Sequence, residues 1–502
     1  MPCLPVRYDG CMGVVTADEM RALEEAAFQR GTTASVLMIE AGRGLGHAVA
    51  RFFPEPGTAI ACLGKGHNAG DALVALGVLR DAGWKIAIRA AWPQSEWAEL
   101  TRAMLAALGE VEWLDGPPDP AAARLPLILL DGLLGIGARG GPRGGLAPLA
   151  EEMRALRQAA GGRIVAVDLP SGVDADTGEI HPGAVVADLT LTIGVPKRGL
   201  LMGRAADAVG ALGLVPVAEL PVPAGGDMAM ISPFTLAGAL SPRPFDFHKG
   251  RAGRVGILAG SAAYSGAAVL AATGALRGGA GLVTLHVPEE AHAAIAAKCP
   301  PEVMVRALRD PRELLDFRYD SLVVGPGLGG VEAGLVRRLL MDSPVPVVID
   351  ADALNAIAGD FPELPAHHVL TPHPGEFRRL APDLADLPRE EAARAFADRH
   401  APVLLLKGAR TLVTAAGEPL WCNSTGSPGM ASGGQGDALS GVIGALLAGG
   451  LAPLEAAACG AWLCGRGSER AIAAGASEES LLASDTLAHL GGAFRDWRER
   501  GR

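Results

Sequence analysis

The chain has 502 residues, of which 49% are hydrophobic and 20% charged. That is enough apolar material for two or more packed cores, and it excludes disorder over most of the length. The net charge is −11 with no clustered Lys or Arg, which makes nucleic acid and anionic membrane surfaces poor partners. The cysteines at 3, 11, 62, 299, 422, 459 and 464 are odd in number and form no C-x-x-C pair, so reduced thiols in a cytoplasmic protein are expected, not a disulfide framework. The start, MPCLPVRYDGCMGVV, has no cationic segment leading into an apolar one, so no secretory signal is read there. The most apolar run, Ala438 to Ala452, falls short of the ~20 residues a spanning helix needs and reads as a buried helix.

In chain order, Thr16-Ala-Asp-Glu19 is a capping box that opens a helix through about Arg30. From Thr58 short apolar runs alternate with amphipathic segments. TAIACLG, WKIAIRAA, LPLILLDG, RIVAVDLPSG and ADLTLTIG read as strands buried on both faces, with ALVALGVLRDAG and LAPLAEEMRALRQAA as helices among them. This alternation predicts a parallel sheet covered on both sides. The Pro/Gly-rich segment beginning at Pro221 breaks the pattern, so domains are expected at 1–220 and 231–502 with a linker at 221–230. The alternation then resumes with RVGILAG, GLVTLHVP, DSLVVGPG, VPVVIDAD, HHVLTPH, PVLLLKG and TLVTAAG.

In the first half, Gly64-Lys65-Gly66-His67-Asn68-Ala69-Gly70-Asp71 follows a strand and opens a helix, matching the loose dinucleotide fingerprint. The next strand ends without the acidic residue that would hold a ribose hydroxyl, which argues against an ordinary NAD-dependent dehydrogenase. Asp131 ends LILLDG ahead of the loop Leu134-Gly135-Ile136-Gly137-Ala138-Arg139-Gly140-Gly141, and Asp168 and Ser171 end RIVAVDLPSG. In a parallel sheet these ends share one edge, the ligand edge of open α/β folds. Asn68, Asp131, Asp168 and Ser171 form a hard-oxygen set suited to a hard cation. Asp168 is the candidate proton-transfer group, the alternative being a cap of its own turn. Lys197 is a second candidate, beside the alternative of a solvated surface charge.

These residues resemble the NAD(P)H-hydrate epimerase domain over about residues 14–215, through TADEMRALE, GKGHNAGDA, DGLLGIGARGG, VDLPSGVDADTG and TIGVPKRGL in order. The resemblance implies a Rossmann-like three-layer α/β/α domain that interconverts the R and S forms of hydrated NADH and NADPH. It implies K⁺ at Asn68, Asp131 and Ser171, and substrate at His67, Asn68, Ala69, Gly70 and Asp71, at Gly135, Ile136, Gly137, Ala138, Arg139, Gly140 and Gly141, and at Asp168. His67 and Ala69 depart from the usual Asn and Gly, which bears on loop geometry.

In the second half, Ala431-Ser432-Gly433-Gly434-Gln435-Gly436-Asp437 precedes a small-residue helix. Free backbone N–H groups and the positive helix end there make an anion hole for a phosphoryl group. Asp437 in the first turn is placed to take a proton from an attacking hydroxyl. No P-loop motif is present. Tyr264-Ser-Gly-Ala267, Gly325-Pro-Gly-Leu-Gly329, Asp350-Ala-Asp352 and Thr371-Pro-His373-Pro-Gly-Glu376 follow strands. His373 is read as a ligand contact, and Glu376 either holds water on Mg²⁺ or is a solvated charge. Lys407-Gly408-Ala409-Arg410-Thr411 turns between strands and offers N–H groups and charge to a nucleotide.

This half resembles the ADP- or ATP-dependent NAD(P)H-hydrate dehydratases over about residues 245–490. That implies a ribokinase-like α/β/α domain. By that resemblance Ala267, Gly327 and His373 contact the hydrated nucleotide, Lys407–Thr411 and Gly436 bind the adenine nucleotide, and Asp437 is the acid/base. The reaction implied phosphorylates the ring hydroxyl of the S hydrate and expels phosphate. Gln435 stands where a small Ser or Thr is usual. Together the halves imply a cytoplasmic bifunctional repair enzyme, expected as a homo-oligomer. The alternatives are a vitamin-precursor kinase on the second fold and a non-catalytic binding module as the first.

Overall fold

The computed structural model describes residues 13–119, 123–221 and 225–500; Cys3, Cys11, most of the N-terminal segment and linker residues 222–224 lie outside these. Two compact units emerge, Met12–Gly226 and Asp227–Arg502.

The first unit is a seven-stranded parallel sheet of β1 (Thr58–Leu63), β2 (Lys85–Ala90), β3 (Glu112–Trp113), β4 (Leu127–Gly132), β5 (Arg163–Val167), β6 (Leu189–Ile193) and β7 (Ala211–Val215), in the order β3-β2-β1-β4-β5-β6-β7. Alternate residues of one strand enter different cores. Ala59, Ala61 and Leu63 of β1 join the core beneath the helices Ala34–Phe52 and His67–Asp81, while Ile60 and Cys62 join the core beneath Leu146–Ala160. This two-sided burial is why the strands read as continuous apolar runs. The capping box forms as expected: Thr16 Oγ1 accepts from Glu19 N and the Glu19 carboxylate accepts from Thr16 N, opening Ala17–Gln29.

The second unit holds ten strands: β8 (Met228–Ile231), β9 (Arg254–Leu258), β10 (Leu282–Pro288), β11 (Val303–Leu308), β12 (Ser321–Val324), β13 (Val347–Ile349), β14 (Val369–Leu370), β15 (Val403–Leu406), β16 (Leu412–Thr414) and β17 (Leu420–Asn423). Their order is β11-β10-β9-β12-β13-β14-β15-β16-β17-β8, parallel except where β16 pairs with β15 and β17. The expected linker is corrected here. Residues 228–230 are not a connector but most of β8, an edge strand whose four residues are all buried and which pairs with β17.

The apolar run after Asp437 is the buried helix Gln435–Ala448. It lies against Ser265–Arg277 at distances only glycine allows: a Cβ at Gly441 would stand 2.0 Å from Ala271 O, and one at Gly274 2.4 Å from Ala438 O. This close crossing brings Ala267 and Asp437 to the same end of the unit. Among the described residues no helix is long and apolar enough to cross a membrane, and the five described cysteines are free.

Candidate active sites

In the first unit the strand order reverses between β1 and β4, so their outgoing loops part and leave a crevice. Residues 67–71 form the first turn of His67–Asp81, which brings its N-terminal end to that crevice. Gly64 is required at the entry, since a Cβ would lie 2.0 Å from Leu133 O. Asp131 is fully buried; its Oδ1 accepts from Ser171 Oγ at 2.6 Å and its Oδ2 from Ser171 N at 2.7 Å. Burial pushes its carboxyl up to about 6 despite those bonds. Asn68 Nδ2 donates to Leu134 O at 2.8 Å, which turns its oxygen the other way, and Leu134 N donates to Ser171 Oγ at 2.9 Å. The three residues expected at a cation thus surround one turn. A buried carboxylate with no cationic partner in hydrogen-bond reach among the described residues is what a K⁺ ion would satisfy. The adjoining cleft is lined by Leu134, Gly135, Ala138, Gly140, Ser171 and His181. Ile136 is partly buried and packs against the apolar core, while Arg139 is exposed.

Asp168 sits at φ 68, a left-handed conformation that costs a non-glycine residue of order 1–2 kcal/mol. It does not cap its own turn. Its Oδ1 accepts from Ile193 N at 2.9 Å, Thr192 Oγ1 at 3.3 Å and the ammonium of Lys197. All these bonds converge on Oδ1; Oδ2 has no partner among the described residues. Lys197 is fully buried, which removes the surface-charge alternative, and it also donates to Ile193 O at 2.7 Å. Two more acids complete the group. Burial, with the charges of Asp168 and Glu24, drives Asp71 well above the usual carboxylate range. Burial also raises Glu24, whose helix is pinned beside Lys197 by Val15 N on Pro196 O at 3.0 Å. Glu24 closes the TADEMRALE motif, and only its spacing on the helix pointed inward.

In the second unit the order reverses between β9 and β12. Their loops carry Tyr264–Ala267 and Gly325–Gly329, which touch: a Cβ at Gly327 (φ 62) would lie 2.7 Å from Tyr264 Cβ and 2.9 Å from Ala267 Cβ. Asp350, at the end of β13, is buried; its Oδ1 accepts from Lys407 Nζ at 2.8 Å and its Oδ2 from Ser440 Oγ at 2.7 Å. Burial opposes its ionisation, but the Lys407 charge and these bonds win and hold it below its usual value. Lys407 Nζ also lies 3.9 Å from Glu376, so its ammonium faces two carboxylates. Gly436 passes over this pair, with a Cβ there 3.1 Å from Lys407 Nζ.

Asp437 stands in the first turn beside that network with no side-chain hydrogen bond among the described residues. Burial, then the Asp350 charge, push it up to about 6 against the pull of Lys407. His373 is exposed and caps Pro374–Leu380, Nδ1 accepting from Gly375 N at 3.0 Å, while its Nε2 lies 3.5 Å from Glu376 Oε1. Glu376 is buried and not a solvated charge; it accepts from His373 N at 2.8 Å. Gln435 is also buried, donating to Ser432 Oγ at 3.3 Å. Ser440, which steadies Asp350, was missed; its signal was a hydroxyl inside an otherwise apolar helix.

Fold and sites together define a two-domain α/β enzyme with a crevice at each sheet's point of reversal and a glycine-lined helix start in the second. A family model described as NAD(P)H-hydrate dehydratase matches residues 255–489, and one described as YjeF-related protein N-terminus matches 34–199. The bifunctional NAD(P)H-hydrate repair enzyme Nnr of Gloeobacter violaceus is 37% identical, covering 90% of this chain and 94% of that protein. That of Escherichia coli is 34% identical over 94% and 92%. A solved ADP/ATP-dependent NAD(P)H-hydrate dehydratase from Bacillus subtilis is 29% identical, covering 53% of this chain and 98% of that one with a TM-score of 0.48. The chain belongs to the family of bifunctional NAD(P)H-hydrate repair enzymes.

Proposed function

We propose that the first site exchanges the R and S forms of hydrated NADH and NADPH through Asp168, and that the second dehydrates the S form through Asp437 at the expense of ADP or ATP. The observation that carries the second role is an acid with a raised pKa, free of hydrogen bonds, at the glycine-lined start of a buried helix. As the ring hydroxyl attacks the phosphoryl group, Asp437 takes its proton, and the N–H groups of the Gly433–Gly436 turn receive the transferring charge. The C–O bond to phosphate then breaks with the electron pair leaving on phosphate, and loss of a proton from the adjacent ring carbon forms the double bond of NAD(P)H. In the first site the free Oδ2 of Asp168 takes the proton of the ring hydroxyl as the ring C–N bond opens to an aldehyde, passes it to the ring nitrogen, and returns it to oxygen when the nitrogen closes on the opposite face of the carbonyl, while Lys197 and Ile193 N hold Oδ1 fixed.

K⁺ supplies positive charge beside the ligand crevice, with Asp131, the Asn68 oxygen and Ser171 as its holders. Mg²⁺ is proposed to arrive on the nucleotide's phosphates, because Lys407 already compensates Asp350 and faces Glu376. A cytoplasmic setting is supported by the free cysteines.

Two outcomes check this. Because Asp437 must be ionised to act as a base, dehydratase kcat/KM falls about tenfold per pH unit below about 6. Initial rates across the acid range read it directly, and a profile flat to pH 5 contradicts it. K⁺, but not Na⁺, should raise the melting temperature of the full chain, by an amount worth about 2.7 kcal/mol at a hundredfold excess over Kd. Asp131→Asn should abolish that response, and a K⁺ effect undiminished in the variant removes Asp131 from the ion's holders.

A further inference from the structure

Beneath the turn Lys407–Thr411 lies a cation, Arg389, in no ion pair among the described residues. Arg389 opens the helix Arg389–Ala397, which is anchored by buried Ala392, Ala393, Phe396 and Ala397. Its guanidinium faces carbonyls instead of a carboxylate. Nη1 donates to Ala409 O at 2.8 Å, and Nη2 to Leu406 O and Lys407 O, each at 3.4 Å. Nε is buried without a partner. Gly408 crosses directly over the fork at φ 148, and a Cβ there would stand 2.8 Å from Arg389 Nη2. The guanidinium therefore occupies the room a side chain at position 408 would need.

Carbonyl oxygens accept hydrogen bonds but cancel no charge. Among the described residues Arg389 has no carboxylate within ion-pair distance. The N–H groups of Gly408 and Ala409 are also unused, since neither donates to any group among the described residues. One turn thus combines drawn-in carbonyls, idle N–H groups and, behind them, a positive charge that the Glu390 charge acts on but that no ion pair among the described residues holds. That combination suits an anion resting on the outer side of the turn.

We infer that Arg389 is the positioning residue of the adenine-nucleotide site: its fork draws in the carbonyls of residues 406, 407 and 409, leaves the Gly408 and Ala409 N–H groups for a phosphate, and supplies the charge that Lys407 has spent on Asp350. This rests on the reading that the Lys407–Thr411 turn takes the nucleotide.

The test measures KM for ADP and for ATP, KM for the S hydrate, kcat and melting temperature in Arg389→Met, Arg389→Lys and Gly408→Ala of the full chain. In Arg389→Met the nucleotide KM should rise at least about tenfold while the hydrate KM stays within about twofold, because hydrogen bonds from a charged group are lost on one substrate's side only. Arg389→Lys keeps the charge without the fork and should fall between wild type and Arg389→Met; it carries the test if the methionine variant does not fold. An unchanged nucleotide KM in a folded Arg389 variant, alongside a raised one in Gly408→Ala, overturns the role of Arg389 alone. An unchanged nucleotide KM in all three variants means the turn does not hold the nucleotide, and the underlying reading fails with it. Equal losses in both KM values and in melting temperature mark Arg389 as merely structural and overturn the inference.

Discussion

Asp437→Asn is expected to lower dehydration of the S hydrate by about 10²–10⁴-fold while leaving epimerisation at the wild-type rate. Asparagine keeps the shape and removes only the proton acceptor. Asp437 stands near Asp350 and Glu376, and its raised pKa means that its charge opposes folding. The sign follows from linkage. A carboxyl whose folded-state pKa lies above its unfolded value destabilises the native state above that pKa, and the penalty fades as pH falls through it. At neutral pH the variant should therefore melt no lower than wild type. Loss of both activities in a folded Asp437→Asn protein would contradict the assignment of separate sites, and full dehydratase activity would remove Asp437 from the chemistry.

Asp168→Asn should do the reverse, lowering epimerisation about 10²–10⁴-fold with dehydration of pure S hydrate intact. This substitution also has a stability cost. Lys197 is fully buried and bonds Asp168 Oδ1, so the variant leaves a buried ammonium without its counter-charge, which costs of order 3–5 kcal/mol. The first unit should melt measurably lower while the second keeps its activity, and the rate of R-to-S exchange, corrected for the spontaneous reaction, is the decisive reading. Unchanged exchange in the variant would leave Asp71 and Glu24 as the remaining acids of that cluster.

Both central parallel sheets were legible because their strands are buried on two faces and so appear as unbroken apolar runs, as β4 does in LILLDG. The strands that escaped are short or at edges. β3 has two residues, both exposed, β8 follows a Gly-Gly pair and uses two methionines, and β11, at the sheet margin, buries only its two end residues. The candidate sites were legible where glycine spacing coincides with an acid at a strand end, as at Asp131 and Asp168, or in the first turn of a helix, as at Asp437. What could not be read was pairing across distance. Nothing local reveals that Lys407 is bound to Asp350, 57 positions away, or that Arg389 sits under a turn some 20 positions later. Likewise, nothing local reveals that Ile136, within the glycine-rich loop, rests partly buried against the apolar core.

The most direct measurement follows the absorbance of reduced nicotinamide after mixing the protein with an R and S mixture of hydrated NADH, Mg²⁺, K⁺ and either ADP or ATP. Complete, nucleotide-dependent recovery of NADH, faster than spontaneous exchange allows, is the predicted result, and the nucleotide that supports it is the phosphoryl donor. Recovery that stalls once the S form is consumed would contradict a catalytic first domain, and no recovery with either nucleotide would contradict the dehydratase role of the second.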